Sequence, residues 1–263
     1  MPRFAANLTL LFNEVPFEER FAAAHRAGFT GVEYLFPYAW PAALLAEKLQ
    51  QHQLSQVLFN LPPGDWDGGE RGIACLPGRE AEFRQGLDEA VHYARTLNCR
   101  RLNCLAGLSP AGEDPERVWD TLRSNVTLAA RRLADEGITL CLEAINSRVD
   151  MPGFVLDTSA RVVQLMDEVG ADNVRLQYDI YHMQIMEGDL IRTLQSLLPR
   201  IGHIQFADNP GRHEPGTGEI NFPAVFRALD EAGYQGWVSA EYRPLGRTEA
   251  GLDWLKPAAR PIM

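Results

Sequence analysis

Eight short apolar runs alternate with about eight segments of helical spacing along the 263 residues, which predicts an α/β protein, a (β/α)8 barrel. Two further observations support a barrel over a doubly wound open sheet. The turn after the first run, ANLTLLFNEVPF, has no glycine to cradle a phosphate. Acidic residues also recur at the ends of late runs, where a barrel gathers its chemistry.

In chain order, the first strand is expected over 3–10. Phe17, Phe21, Ala24 and Gly28 follow at intervals that give a helix one apolar face. Strands two and three are expected over 31–36 and 54–61. The glycine-rich stretch PPGDWDGGERGIACLPG, 62–78, precedes a helix starting near Arg79 and is predicted as a lid or pocket wall on the active face. The fourth strand, 101–105, leads to a helix marked by Leu122, Val126, Ala130 and Leu133. Strands five and six are expected over 138–145 and 174–178, followed by a helix bearing Leu190, Leu194 and Leu197. The seventh, 201–207, precedes a helix with Phe222, Val225, Phe226 and Leu229, and the eighth covers 237–242. With no linker or internal repeat, residues 1–263 are predicted as one domain, its KPAARPIM tail fraying or packing loosely.

Composition narrows the function. The 25 Lys and Arg against 35 Asp and Glu give a net charge of −10, which argues against a nucleic-acid or anionic-membrane surface. Hydrophobic residues at 46% and charged residues at 23% suit an ordinary globular protein. No run approaches a membrane span and MPRFAANLTL lacks the shape of a secretory signal, so a cytoplasmic location is expected. Cys75, Cys99, Cys104 and Cys141 have no metal or redox spacing and are expected to be reduced and buried. Trp119 and Phe226 on helices leave a homodimer open.

The candidate chemistry lies in the second half. Glu143 closes ITLCLE, Asp179 follows VRLQY and Glu241 follows WVSA, so three carboxylates converge over one mouth. Strand seven, IGHIQFAD, adds His203, Gln205 and Asp208 near the same rim. Clustered carboxylates repel unless a cation sits among them. Glu143, Asp179, Gln205 and Glu241 therefore make an oxygen-rich ligand set suited to Mg²⁺ or Mn²⁺.

His182, in DIYHM, is placed to exchange a proton or hydrogen bond with a substrate oxygen, and His203 to pack or support the site. Arg148 and Arg212, with His213 beside the latter, are candidates for holding an anionic substrate. Gly216 and Gly218 shape the turn around Arg212, and Trp66 and Phe12 are weaker candidates for pocket walls. His25, His52, His92, Trp40, Trp119, Trp237 and Trp254 are expected to be surface or packing residues.

LEAIN, QYDIYHMQ, GHIQFADNPGRHEPGTGEINF and GYQGWVSAEYRP together resemble the hydroxypyruvate isomerase family of xylose-isomerase-like TIM barrels. The likeness runs from RFAANLTLLF through CLPGRE to GLDWL. It implies a divalent metal held by Glu143, Asp179, Gln205 and Glu241, with Glu143 and Glu241 exchanging a proton with the substrate. It also sets His182 and Arg212 where related ketose 3-epimerases contact substrate oxygens. Those epimerases generally carry histidine where this chain has Gln205, a departure that favours the hydroxypyruvate isomerase branch. The implied reaction interconverts hydroxypyruvate and 2-hydroxy-3-oxopropanoate (tartronate semialdehyde) through an enediolate. A 2-oxo-tetronate isomerase is the alternative, and a ketose 3-epimerase a more distant one. A nuclease or a sugar-binding barrel is disfavoured by the six histidines, the acidic charge and the paired proton acceptors.

Overall fold

The computed structural model describes residues 2–255 and contains a closed barrel of eight parallel strands in sequence order. The strands are β1 (Arg3–Asn7), β2 (Gly31–Glu33), β3 (Ser55–Asn60), β4 (Arg101–Cys104), β5 (Thr139–Glu143), β6 (Val174–Asp179), β7 (Ile201–Phe206) and β8 (Trp237–Ala240). Closure comes from β8 pairing with β1, Arg3 opposite Trp237 and Ala6 opposite Ala240. The tail 256–263 lies outside the described residues.

Among the described residues, eight α-helices surround the barrel: α1 (Phe17–Arg26), α2 (Ala42–Gln51), α3 (Glu80–Leu97), α4 (Pro115–Ala134), α5 (Ser159–Val169), α6 (Ile180–Met186), α7 (Leu190–Leu197) and α8 (Phe222–Glu231). Their boundaries follow local chemistry. Asp114 caps α4 by accepting from Glu116 N, with Pro115 at the first helical position, where its missing N–H costs nothing. Thr158 and Asn221 cap α5 and α8 in the same way. Leu122, Val126, Ala130 and Leu133 form the buried stripe of α4, as their spacing predicts. Gly28 falls just past α1 at φ 94°, outside the helix its spacing suggested.

Most strands stop earlier than the apolar runs that announced them. After Asn7 the chain turns at once: Leu10 N and Leu11 N donate to Asn7 O, and Thr9 N donates to Asn7 Oδ1. Strand β6 runs one residue further than expected, to Asp179, and passes directly into α6. Apolar character continues beyond the strands because these turns are buried too. Leu8, Leu11 and Phe12 are all in the core.

The 62–78 stretch is docked on its neighbours. Cys75 N donates to Ala106 O, and Arg79 bridges Glu70 and Glu82. A Cβ on Gly72 would lie 2.2 Å from Leu105 O, so glycine permits the close approach to the end of β4. Among the described residues, no helix is long and apolar enough to cross a membrane.

Candidate active site

Parallel strands deliver all their C-terminal ends to one mouth of the barrel. There each strand contributes a buried polar side chain, at its last residue or one position either side. In order these are Asn7, Glu33, Asn60, Asn103, Glu143, Asp179, Gln205 and Glu241. Neighbouring strands set them side by side, with Asp179 opposite Gln205 and Asn60 opposite Asn103.

Glu143, Asp179 and His182 converge. Each offers one ligand atom within 4.8 Å of the other two, a buried donor set able to hold a divalent cation. His182 Nε2 lies 3.7 Å from Glu143 Oε1 and 3.9 Å from Asp179 Oδ2. The strand-to-helix junction creates this geometry. Asp179 caps α6 through Oδ1, which accepts from Tyr181 N at 2.7 Å and His182 N at 3.1 Å. That fixes the carboxylate plane and leaves Oδ2 without a hydrogen-bond partner. Glu143 is oriented by Asn103, whose Nδ2 donates to Oε2 at 3.1 Å.

Glu241 follows β8 and is anchored by its own N–H donating to Phe206 O. Its Oε1 lies 3.4 Å from Arg212 Nη2, while Oε2 is buried without a partner. Arg212 also reaches Asp150 Oδ1 at 3.6 Å and lies 5.3 Å over the Tyr181 ring. Its backbone adopts φ 59° in a tight turn closed by Asp208 N donating to His213 O.

Burial dominates the electrostatics. It pushes the Glu143 carboxyl well above its ordinary value, and the charges of Glu241 and Asp179 add to the shift. Burial also raises Glu241 to about 8 and Asp179 to about 6, against the pull of Arg212. His182 is driven the other way, well below its ordinary value, by burial and by Arg212. Burial works against the Arg212 charge, but Glu241, Asp179, Asp150 and Glu143 more than offset it.

Gln205 stands in the mouth with its amide already engaged. Nε2 donates to Glu33 Oε1 at 2.7 Å, and Oε1 accepts from Gln177. An amide oxygen has two lone pairs, so one is left for a cation. Glu33 also accepts from Asn7 at 3.0 Å and meets His203 Nε2 at 2.7 Å. Burial raises the Glu33 carboxyl, yet His203 and the hydrogen bond from Gln205 bring the net value below the ordinary one. Sequence reasoning passed over Glu33, Asn7, Asn60 and Asn103. The available signal was a polar residue within or beside every apolar run, neutral as well as acidic.

Other predicted residues lie apart from this group. Arg148 is exposed and its guanidinium donates to Ile185 O. His213 is half-buried with Nδ1 on Arg243 O. Asp208 is buried but committed to its loop, accepting from Asn209, Gly216, Gly218 and Ile220 N–H groups. Phe12 is buried against Phe29 at 6.3 Å, and Trp66 packs on Phe36. His25 and His52 face one another at 6.3 Å, and His92 is exposed on α3. Trp40 stacks on Phe17, and Trp254 packs among Phe4, Phe206 and Tyr242. All four cysteines are free and buried, their thiols pushed up to about 12 by burial.

The donor set fits a divalent cation. Three buried, mutually repelling carboxyls, with orphaned oxygens on Asp179 and Glu241, are a set whose charge a divalent cation among them would compensate. Fold and site thus define a barrel enzyme with a polyacid, cation-ready mouth. The chain belongs to the family described as xylose isomerase-like TIM barrel, whose profile matches residues 21–258. It is 49% identical over 257 residues to the hydroxypyruvate isomerase of Escherichia coli (strain K12), covering 98% of this chain and 99% of that one. It is also 49% identical over 257 residues to the 2-oxo-tetronate isomerase of Cupriavidus necator, covering 98% of each. A crystal structure of "AP endonuclease, family 2" from Brucella melitensis superposes with a TM-score of 0.94 at 49% identity, covering 97% of this chain and 98% of that one. The homology and the buried donor set support a metal-assisted isomerase acting on a small acidic substrate.

Proposed function

We propose that this protein is an aldose–ketose isomerase that interconverts hydroxypyruvate and 2-hydroxy-3-oxopropanoate. One observation carries the reading. Glu241 meets the guanidinium of Arg212 through Oε1 at 3.4 Å, while its Oε2 and Asp179 Oδ2 are buried without a partner, so a cation site and an acid site adjoin. The likeness to the E. coli hydroxypyruvate isomerase supports the substrate.

Glu143, Asp179, Glu241 and the free lone pair of Gln205 Oε1 are the groups assigned to hold Mg²⁺ or Mn²⁺. Such an ion supplies charge compensation and Lewis acidity to a hydroxyl and its adjacent carbonyl. Glu143 and Glu241, three strands apart around the barrel, are the proton carriers. One takes the proton from C3 of hydroxypyruvate while the C–H electron pair moves toward C2 and the carbonyl oxygen gains charge. The same or the facing carboxylate returns a proton to C2, while the C3 hydroxyl proton passes to the C2 oxygen and C3 becomes the aldehyde carbon. Atoms and electrons balance within the substrate, so no oxidant is needed. Arg212 pairs with the substrate carboxylate, whose burial without a partner is costly. Of the predicted substrate contacts, His182 and Arg212 adjoin the carboxylates, while Arg148 and His213 are engaged elsewhere.

The test is kcat/KM for hydroxypyruvate, a 2-oxo-tetronate and a neutral ketose, with metal-stripped and metal-restored protein. Hydroxypyruvate is expected to lead and to require metal. A leading 2-oxo-tetronate would establish the second reading, which the equally similar Cupriavidus relative favours. A leading neutral ketose would replace both with an epimerase.

A further inference from the structure

Asn146 lies in the turn after β5, fully buried, and all four of its side-chain bonding directions are accounted for. Its Oδ1 accepts from Val149 N and Asp150 N, both at 2.9 Å. Its Nδ2 donates to Asp150 Oδ2 at 2.6 Å and lies 2.7 Å from His182 Nδ1. The two backbone donors fix which end of the amide is oxygen. The group facing His182 is therefore the NH₂, which donates and cannot accept. His182 Nδ1 must be the bare nitrogen, and a neutral imidazole then carries its proton on Nε2.

We propose that Asn146 is a positioning residue that holds His182 as the Nε2–H tautomer, presenting a hydrogen-bond donor to the site. The arrangement has the opposite polarity from that around a metal-ligating histidine, which normally gives its far N–H to a carbonyl or carboxylate. Here the far nitrogen receives a hydrogen bond, and the near nitrogen, beside Glu143 and Asp179, bears the proton. His182 thereby leaves the set of metal ligands although its distance would admit it. Its N–H is free to meet an oxygen that gains negative charge as a neighbouring C–H proton departs.

Asp150 supports the device. Tyr181 Oη donates to its Oδ2 at 3.0 Å, and Arg212 lies 3.6 Å from its Oδ1. One carboxylate so orients the groups behind both His182 and Arg212.

The tautomer stands apart from the proposed reaction, whereas its use toward a substrate oxygen rests on that reading. The test therefore needs no substrate. In ¹⁵N-histidine-labelled wild type, long-range ¹H–¹⁵N spectra are expected to show His182 Nδ1 bare and Nε2 protonated. Asn146→Asp keeps size and the Oδ1 acceptor but offers His182 an acceptor in place of a donor, and should move the proton to Nδ1. His182→Gln should leave Mn²⁺ affinity, measured by titration calorimetry, within about twofold of wild type. A wild-type ring protonated at Nδ1, or a tenfold loss of Mn²⁺ affinity in His182→Gln, would overturn the proposal whatever the enzyme's substrate proves to be.

Discussion

Arg212 shows how much one side chain carries in this pocket. Its guanidinium sits between Glu241 and Asp150, against the face of Tyr181, and it is the cation adjoining the acidic group. Arg212→Met keeps the stem and removes the fork. Truncating one partner of a buried charge pair costs about 2–5 kcal/mol, and kcat/KM on the hydroxy-keto acids should fall accordingly. Activity on neutral ketoses should change much less. An equal loss on both classes would show that Arg212 supports the loop rather than the substrate carboxylate.

Residues also mark how far sequence alone could reach. Glu143, Asp179 and Glu241 were legible because a charge closing an apolar run stands out. Glu33 did not, since its strand GVE is too short to separate a barrel-interior carboxylate from a rim charge. Asn7, Asn60 and Asn103 are neutral, and nothing in composition distinguishes a buried amide from a turn residue. Arg148 was placed by its nearness to Glu143 in sequence. The Asn146 turn directs it outward, to Ile185 O, which no spacing rule anticipates.

At the scale of elements, the loop after β7 is organised around Asp208. Four backbone N–H groups, from Asn209, Gly216, Gly218 and Ile220, converge on its carboxylate. A Cβ on Gly218 would lie 2.2 Å from Asn209 O, so the loop closes only with glycine there. Gly218→Ala should therefore displace the segment that carries Arg212. The expected result is a tenfold or greater loss of kcat/KM with a Tm change of only a few degrees. Unchanged activity would show that Arg212 is positioned independently of the loop. The alternation of strands and helices was legible from apolar spacing. The strand ends were not, because the turn after β1 goes on burying apolar residues, Leu8, Leu11 and Phe12, after the ladder stops.

For the whole molecule, the acidic mouth ties stability to pH and metal. Asp179 and Glu241 are raised to about 6 and about 8, from ordinary values of 3.8 and 4.5. The folded state thus holds these protons more tightly than the unfolded chain. Their contribution to stability is complete below about pH 4 and is lost as pH rises through about 6–8. A cation competes for the same oxygens and binds the deprotonated forms, so its stabilisation grows in the opposite direction. The rise in Tm on adding Mn²⁺ should be larger at about pH 8 than at about pH 5. A rise independent of pH would place the metal away from these carboxylates.

The central claim, that Glu143 and Glu241 carry a proton between adjacent carbons of a small hydroxy-keto acid, is tested most directly by isotope exchange. Wild type, Glu143→Gln and Glu241→Gln are each loaded with Mn²⁺ and incubated with hydroxypyruvate in D₂O. Deuterium entry at the carbon-bound positions is then followed by NMR against an enzyme-free control. The account predicts rapid entry with wild type and a fall of roughly 10²–10⁴-fold in each variant, the span typical of a lost acid–base group. Exchange at near wild-type rate in both variants would contradict it, because the proton would then travel through some other residue.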